Sequence, residues 1–355
     1  CFYLIFPHIT GDINECYGIE YQQVAGLIDL RTTFSDGDLD PYLLVKLAEK
    51  RGFEAVFIND HDRLVMEYGL FPFPHVIKKK KELNSINKGG AEEFLQGIKK
   101  AKQKFPDMIV IPGSETVSYY YWTGSYFKKN LTANDHEKRI LTIGMDEPDD
   151  YENLPILHNG FSTRYIKPVI FPLILFLISF IFGVFLFRGR GFLKAAGLVI
   201  SLFSLLLIIN TNPFRSSPFD QYMGDIGVKP YQLLIDYVSS REGMTIWNYP
   251  ETKSGKRKLG PIYLAPPPYP EALLQSVNYT GFAALYGDTT TIIEPGDIWD
   301  KLLLEYCHGQ RTRPVWGVST ADFHKDDDSG EILGNFPTVF FVKNKTKSDV
   351  LSALN

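Results

Sequence analysis

Asp29-Leu-Arg-Thr-Thr-Phe-Ser-Asp-Gly37 follows a short apolar run, residues 25–28, and closes on an Asp-Gly turn signal. A strand that empties polar groups into a turn is how an α/β scaffold presents chemistry at the C-terminal ends of its strands. The layout recurs along the chain. Residues 53–59 form an apolar run ending in Asn59-Asp-His-Asp62, and 108–111 lead into Pro112-Gly-Ser-Glu115. Residues 243–247 end in Asn248-Tyr-Pro-Glu251, and 314–318 run into Ser319-Thr-Ala-Asp-Phe-His324. Arg139 opens a further apolar strand, 139–145. We expect Asp29, Asp60, His61, Glu115, Arg139, Tyr249, Asp322 and His324 to converge on one site.

Helices fall between these strands. Asp40 followed by Pro41 reads as an N-cap and first helical position, opening a helix to about residue 51 with Leu43, Leu44, Leu47 and Ala48 as its apolar stripe. Gly52 closes it. Further helices are expected at 91–104, 230–240 and from 347, and further strands at 282–286 and 338–342. Residues 1–24 read as a lead-in and 63–90 as irregular. Strands alternating with helices argue for a parallel α/β arrangement. Lys78, Lys79, Lys80 and Lys81 read first as a solvated face, with an anion or lipid-headgroup patch as the other reading. Tyr119, Tyr120, Tyr121 and Trp122 suit either a core or a membrane interface.

The 355 residues are 45% hydrophobic and 22% charged, which places the chain with globular proteins. A net charge of −4 gives no global basis for nucleic-acid binding. Cys1, Cys16 and Cys307 form no CxxC or Cys/His cluster, so a structural zinc site is not expected. Cys16 and Cys307 could pair in an oxidising compartment. Cys1 suits a processed lipoprotein, and the apolar residues 1–6 equally suit the end of an upstream membrane helix. The sequons at Asn130, Asn278 and Asn344 carry little weight, since such triplets arise by chance.

Residues 168–187 and 195–214 are two uncharged stretches of 20 residues each. At about 1.5 Å per residue each spans roughly 30 Å, the thickness of a bilayer core. They read as a transmembrane hairpin. The short loop between them carries Arg188, Arg190 and Lys194, which by the positive-inside tendency faces the cytoplasm. The soluble parts then lie on the outer face, periplasmic where there are two membranes. Arg164, Lys167 and Arg215 at the other ends pull against this orientation. The organisation expected is a lead-in at 1–24, a first soluble part at 25–165, the hairpin at 166–215 and a second soluble part at 216–355.

The ordered set Asp29 to Gly37, Ile58-Asn-Asp-His-Asp62, Pro112-Gly-Ser-Glu115 and Ala321-Asp-Phe-His324 resembles the PHP (polymerase and histidinol phosphatase) family of metal-dependent phosphoesterases. The resemblance covers about 25–145 and 230–355. It implies a distorted (β/α)7 barrel with two or three metal ions at the strand C-terminal ends. Clustered ions clamp a phosphate and lower the pKa of a bound water, which calls for imidazoles, carboxylates and a bridging acid. Carried over by position, His61, Glu115, Asp322 and His324 match metal ligands, Asp60 the acid before the second-motif His, and Asp29 and Asp36 acids flanking the first motif. The family's His-x-His stands here as Arg31 and Thr33, its His-Ile-Leu as Arg139-Ile-Leu, and its His-Pro-Glu as Tyr249-Pro-Glu.

Arginine stays protonated and cannot ligate a metal. Arg31 and Arg139 are therefore expected to replace the metals electrostatically through forked pairs with carboxylates. Asp60 and Glu115 are the acids expected to take those pairs. No metal is expected, with one residual Zn or Mn as the alternative. The first reading is a membrane-anchored pseudoenzyme, a scaffold or accessory subunit among other membrane protein subunits in the bilayer. The alternative is a phosphatase or phosphodiesterase with an altered site. A third option is a sensor for a small phosphorylated or acidic ligand held between Arg31 and Arg139. Small residues Gly183, Ala195, Ala196 and Gly197 would let membrane helices approach closely.

Overall fold

The computed structural model describes residues 20–158, 160–288, 290–327 and 331–355. Cys1, Cys16 and most of the lead-in lie outside them. The first half comprises β1 (Gln22–Leu30), α1 (Pro41–Lys50), β2 (Ala55–Ile58), β3 (Val65–Gly69), β4 (Lys78–Glu82), α2 (Ile86–Gly89), α3 (Ala91–Lys104), β5 (Ile109–Glu115), β6 (Tyr121–Thr123), β7 (Thr132–Asn134), β8 (Arg139–Ile143) and α4 (Pro148–Glu152). Two long helices follow, α5 (Lys167–Phe187) and α6 (Phe192–Thr211). The second half comprises α7 (Lys229–Ser239), β9 (Met244–Asn248), β10 (Arg257–Leu259), β11 (Ile262–Ala265), α8 (Glu271–Gln275), β12 (Gly281–Leu285), α9 (Ile298–Cys307), β13 (Trp316–Ser319), β14 (Thr338–Val342) and α10 (Lys347–Leu354).

Eight strands form one sheet in the order β13-β12-β9-β8-β5-β2-β1-β14. The chain closes it into a barrel. After β13, the Ala321 amide donates to the Ile28 carbonyl, the Phe323 amide to the Asp29 carbonyl and the Arg31 amide to the Phe323 carbonyl. The upper half of β1 thus pairs with the segment after β13, and its lower half pairs with β14. Seven strands plus this added β14 make the distorted barrel expected.

The all-parallel expectation is corrected. β8 runs antiparallel to both β5 and β9, and β14 antiparallel to β1. An apolar run such as Ile140-Leu-Thr-Ile143 encodes burial on both faces but no direction. The reversal has a use: it puts the first residue of β8, Arg139, at the same end as the last residues of β1, β2, β5 and β9.

Local expectations are met or amended for visible reasons. Asp40 caps α1 by accepting from the Leu43 amide at 2.8 Å. The buried stripe of α1 is Leu44, Val45 and Ala48, while Leu43 faces solvent. The segment read as irregular holds the β3–β4 hairpin, with the four lysines on β4. Tyr119 and Tyr120 are buried in the core, which decides that pair against the membrane-interface reading. Cys307 is a free, exposed thiol.

Helices α5 and α6 lie side by side as a hairpin. Both are long and apolar enough to cross a membrane, with mean hydropathies of 2.9 and 2.4. Only 6% and 11% of their apolar windows are buried in protein, whereas core helices of a soluble domain are mostly covered. The helices approach closely at small residues. A Cβ on Gly197 would sit 2.3 Å from the Phe187 nitrogen and 2.6 Å from the Gly183 carbonyl oxygen. Ser204 donates to Ser179 across the pair at 2.8 Å.

Candidate functional site

At the barrel end where β1, β2, β5, β9 and β13 terminate, the backbone bends sharply. Asp29, Tyr249 and Asp322 adopt left-handed conformations, with φ of 72°, 48° and 46°. Side-chain-bearing residues avoid this region, and a cluster of them marks a place where the surroundings impose the geometry. Gly37 completes the first turn. A Cβ there would meet the Arg31 carbonyl at 2.5 Å, so the loop folds directly back on Arg31.

Arg31 is the centre of the site and is 1% exposed. Its Nη1 lies 2.8 Å from Asp29 Oδ1 and also donates to the Asn59 carbonyl. Its Nη2 lies 3.0 Å from Glu115 Oε1 and 3.5 Å from Asp322 Oδ1. Arg139, 18% exposed, places Nη1 2.8 Å from the other Glu115 oxygen, Oε2, and 3.0 Å from His61 Nδ1. Both Glu115 oxygens therefore face a guanidinium. Asn248 links the two acids, donating to Glu115 Oε1 at 2.9 Å and to Asp29 Oδ2 at 2.8 Å. The Tyr249 hydroxyl also donates to Asp29 Oδ2.

The electrostatics follow from this packing. Burial by itself would raise the Glu115 pKa, but Arg31 and then Arg139 outweigh it and hold the carboxyl well below its ordinary range. Asp29 moves the other way: burial raises it, and Arg31 compensates only in part. Burial and both arginines push the His61 pKa down, but its contacts with Asp36 and Glu115 prevail and leave it raised. The His61 hydrogen bond, in turn, keeps the Asp36 carboxyl below its ordinary value against the effect of burial.

The predicted site residues divide into groups. Asp29, Arg31, His61, Glu115, Arg139, Tyr249 and Asp322 meet in one ion-pair network. Asp36 joins it from the first turn, with Oδ2 3.2 Å from His61 Nε2 and 3.6 Å from His324 Nε2. His324 packs its Nδ1 against its own loop, 2.8 Å from the Asp322 carbonyl. Asp60 does not pair with an arginine, contrary to expectation. It accepts from the Thr32 amide and hydroxyl at 2.7 and 2.6 Å and from the Ser35 hydroxyl at 2.5 Å. It thereby anchors the first turn, with burial raising its pKa. Thr33 is exposed, and its amide donates to the Leu39 carbonyl. Asn248 was missed; only its place one residue before Tyr249 could have drawn notice.

The donor set can be compared with what a metal cluster needs. A metal cluster bridged by Glu115 needs that carboxylate, and one ring nitrogen of His61, free to donate. Here Arg31 and Arg139 take the Glu115 oxygens, and Arg139 also lies against His61 Nδ1. The residues present therefore do not fit such a cluster. Among the described residues, no group of three or more His, Cys, Asp or Glu is arranged to hold an ion.

No protein-family model and no curated protein sequence matches the chain. Solved structures do resemble it in fold at low identity. One is a two-domain protein of Bacteroides vulgatus containing a PHP-like metal-dependent phosphoesterase by prediction, 12% identical, with a TM-score of 0.43. That match covers 94% of this chain and 63% of the neighbour's length. A second, a metal-dependent phosphoesterase by prediction, comes from Bifidobacterium adolescentis: 14% identical, TM-score 0.40, covering 93% of this chain and 95% of its own. A third is an amidohydrolase of Chromobacterium violaceum with bound sulfate and no metal, 12% identical, TM-score 0.38, covering 93% and 96%.

Proposed function

We propose that the chain is a membrane-anchored PHP-like pseudoenzyme. Its barrel acts as a scaffold or accessory subunit beside other membrane proteins, and arginines stand where catalytic metals would. The reading rests on one observation above the rest: both oxygens of Glu115 are taken by Arg31 and Arg139, at 3.0 and 2.8 Å. With Asn248 also on Oε1 at 2.9 Å and His61 Nδ1 3.1 Å from Oε2, the carboxylate is neutralised and geometrically fixed, and each oxygen has two protein partners. The hairpin α5–α6 anchors the barrel, and Arg188, Arg190 and Lys194 at its tip favour an outer-face position for the soluble body by the positive-inside tendency, against Arg164, Lys167 and Arg215 at the other ends.

Elemental analysis of the purified full chain, with a phosphoester panel run in added Mn and Zn, tests this. The expected result is no stoichiometric transition metal and no turnover. Stoichiometric Zn, Mn or Fe, or turnover abolished by Glu115→Ala, overturns it.

The second reading, a phosphoesterase using one residual Zn or Mn, is favoured by a single feature: His61 Nε2 and His324 Nε2 both face Asp36 Oδ2. It predicts stoichiometric uptake of one of these metals, lost in His324→Ala.

A further inference from the structure

The β3–β4 hairpin is bound to the foot of the apolar helices, and its composition changes along its length. The loop joining its strands, residues 70–77, is apolar at the tip. Phe71 is 91% exposed, with Leu70 and Ile77 exposed on either side. The same loop is pinned to α6 at two heights. The His75 amide donates to Asn210 Oδ1 at 2.9 Å, at the root of the helix. The Phe73 ring lies 5.1 Å from the Phe203 ring, in an edge-to-face contact. Phe203 precedes the helix end at Thr211 by eight residues, which is about 12 Å along the axis. The loop is thus held alongside the segment read as membrane-spanning, well inside its apolar length.

Behind the tip comes β4, Lys78-Lys-Lys-Lys-Glu82, all four lysines exposed. Side chains alternate along a strand. Lys78 and Lys80 fall on one face and are neutralised by Glu67 at 2.7 Å and Glu82 at 2.5 Å. Lys79 and Lys81 fall on the other face, and among the described residues neither is paired with a carboxylate. Just outside the ends of α5 and α6, Phe161 and Phe214 stack at 4.8 Å with both rings exposed. Exposed aromatic residues at that level suit the zone between headgroups and acyl chains.

We propose that residues 70–81 form a second membrane contact, separate from the spanning helices. Leu70 and Phe71 enter the headgroup–acyl boundary, and Lys79 and Lys81 bind anionic phospholipid headgroups. An apolar tip backed by unpaired cations is the pairing that interfacial segments use. Its fixed attachment to α6 means that little ordering is left to do on contact.

The inference rests on the spanning reading of α5–α6, and labels at different positions keep the two separate. Full-length protein in a cysteine-free background carries one nitroxide, at Phe71→Cys, at Phe182→Cys within α5, or at Lys345→Cys on the far side of the barrel. Each is reconstituted in phosphatidylcholine nanodiscs with and without phosphatidylglycerol. Collision with oxygen and with a water-soluble nickel chelate is then measured. The expected result is that position 71 is sheltered from nickel and open to oxygen, as 182 is and 345 is not. Phosphatidylglycerol should deepen the immersion of 71, and Lys79→Glu with Lys81→Glu should remove that response. Nickel access at 71 equal to that at 345, with 182 immersed, overturns the second contact alone. Nickel access at 182 overturns the spanning reading itself. Shelter of 71 from both reagents means that a protein covers it, and an immersion indifferent to phosphatidylglycerol and to both reversals removes the lysines' role. Either result overturns the proposal.

Discussion

Replacing Arg31 with Met keeps most of the side-chain volume and removes the charge. Arg31 is 1% exposed and faces Asp29 at 2.8 Å and Glu115 at 3.0 Å. At 3.0 Å and an effective dielectric of about 20, one such pair is worth roughly 5–6 kcal/mol before the cost of taking both charges out of water. What a deletion measures is the uncompensated acid left behind, about 3–5 kcal/mol for a buried pair. For a domain of this size that corresponds to a drop in thermal midpoint on the order of 10 °C. The deficit should also depend on pH. In the wild type Glu115 is held below its ordinary pKa, so its stabilising contribution is present above that range and lost on acidification. In Arg31→Met, Arg139 alone opposes burial at Glu115, so its folded pKa moves up, and that of Asp29, already raised, rises further. The variant then loses stability above the ordinary carboxylate range and recovers as the pH falls and the acids protonate. Thermal unfolding of wild type and variant in the same detergent, from about pH 8 to pH 5, should show the gap narrowing. A gap of under about 2 °C, or one that stays constant with pH, would refute the arginine-for-metal reasoning.

Three further outcomes are expected. Arg139→Met should cost less than Arg31→Met, about 1–3 kcal/mol by the same assay, because Arg139 is 18% exposed and pairs with Glu115, whereas Arg31 also pairs with Asp29 and Asp322; an equal or larger loss would contradict the ranking. Gly197→Leu should force α5 and α6 apart, since a Cβ there sits 2.3 Å from the Phe187 nitrogen, at a cost of about 1–3 kcal/mol; an unchanged separation between spin labels on the two helices would rule this out. Burial, then Arg215, pushes the His158 pKa down to about 4 from its ordinary 6.5. The unfolded chain takes up that proton first, so stability should fall as the pH drops through this window. His158→Asn, which keeps an acceptor for the Ser216 amide, should flatten that part of the profile.

The barrel was legible because most of its strands are buried on both faces and read as short continuous apolar runs, as in Ala55-Val-Phe-Ile58. Strand direction was not, since burial is the same whichever way β8 runs. The β3–β4 hairpin escaped notice because Lys78-Lys-Lys-Lys-Glu82 has no strand propensity of its own and is held by its register with Val65–Gly69. Helix α9 could have been found: Asp297 caps it, and Ile298 and Leu302 are buried one turn apart. In the site, Arg31, Glu115 and Arg139 were readable as charges that must meet near strand ends. The capture of Asp60 by Thr32 and Ser35 was not, because it depends on a loop folding back at Gly37.

The reversed strand also bears on how the protein is made. Ile143 and Met244 are partners in the β8–β9 ladder, so two ends that a tight turn could join are separated by the 100 residues from 144 to 243. Closing a loop of that length rather than one of about four residues costs only about 3 kcal/mol more. The larger consequence is one of timing. Because α5 and α6 both lie within that excursion, β9 emerges only after the hairpin has been synthesised. Until then the first half of the barrel must wait with the Ile140-Leu-Thr-Ile143 edge unpaired. On the membrane-anchored reading, biogenesis is therefore a race between membrane insertion and aggregation of a half-built sheet.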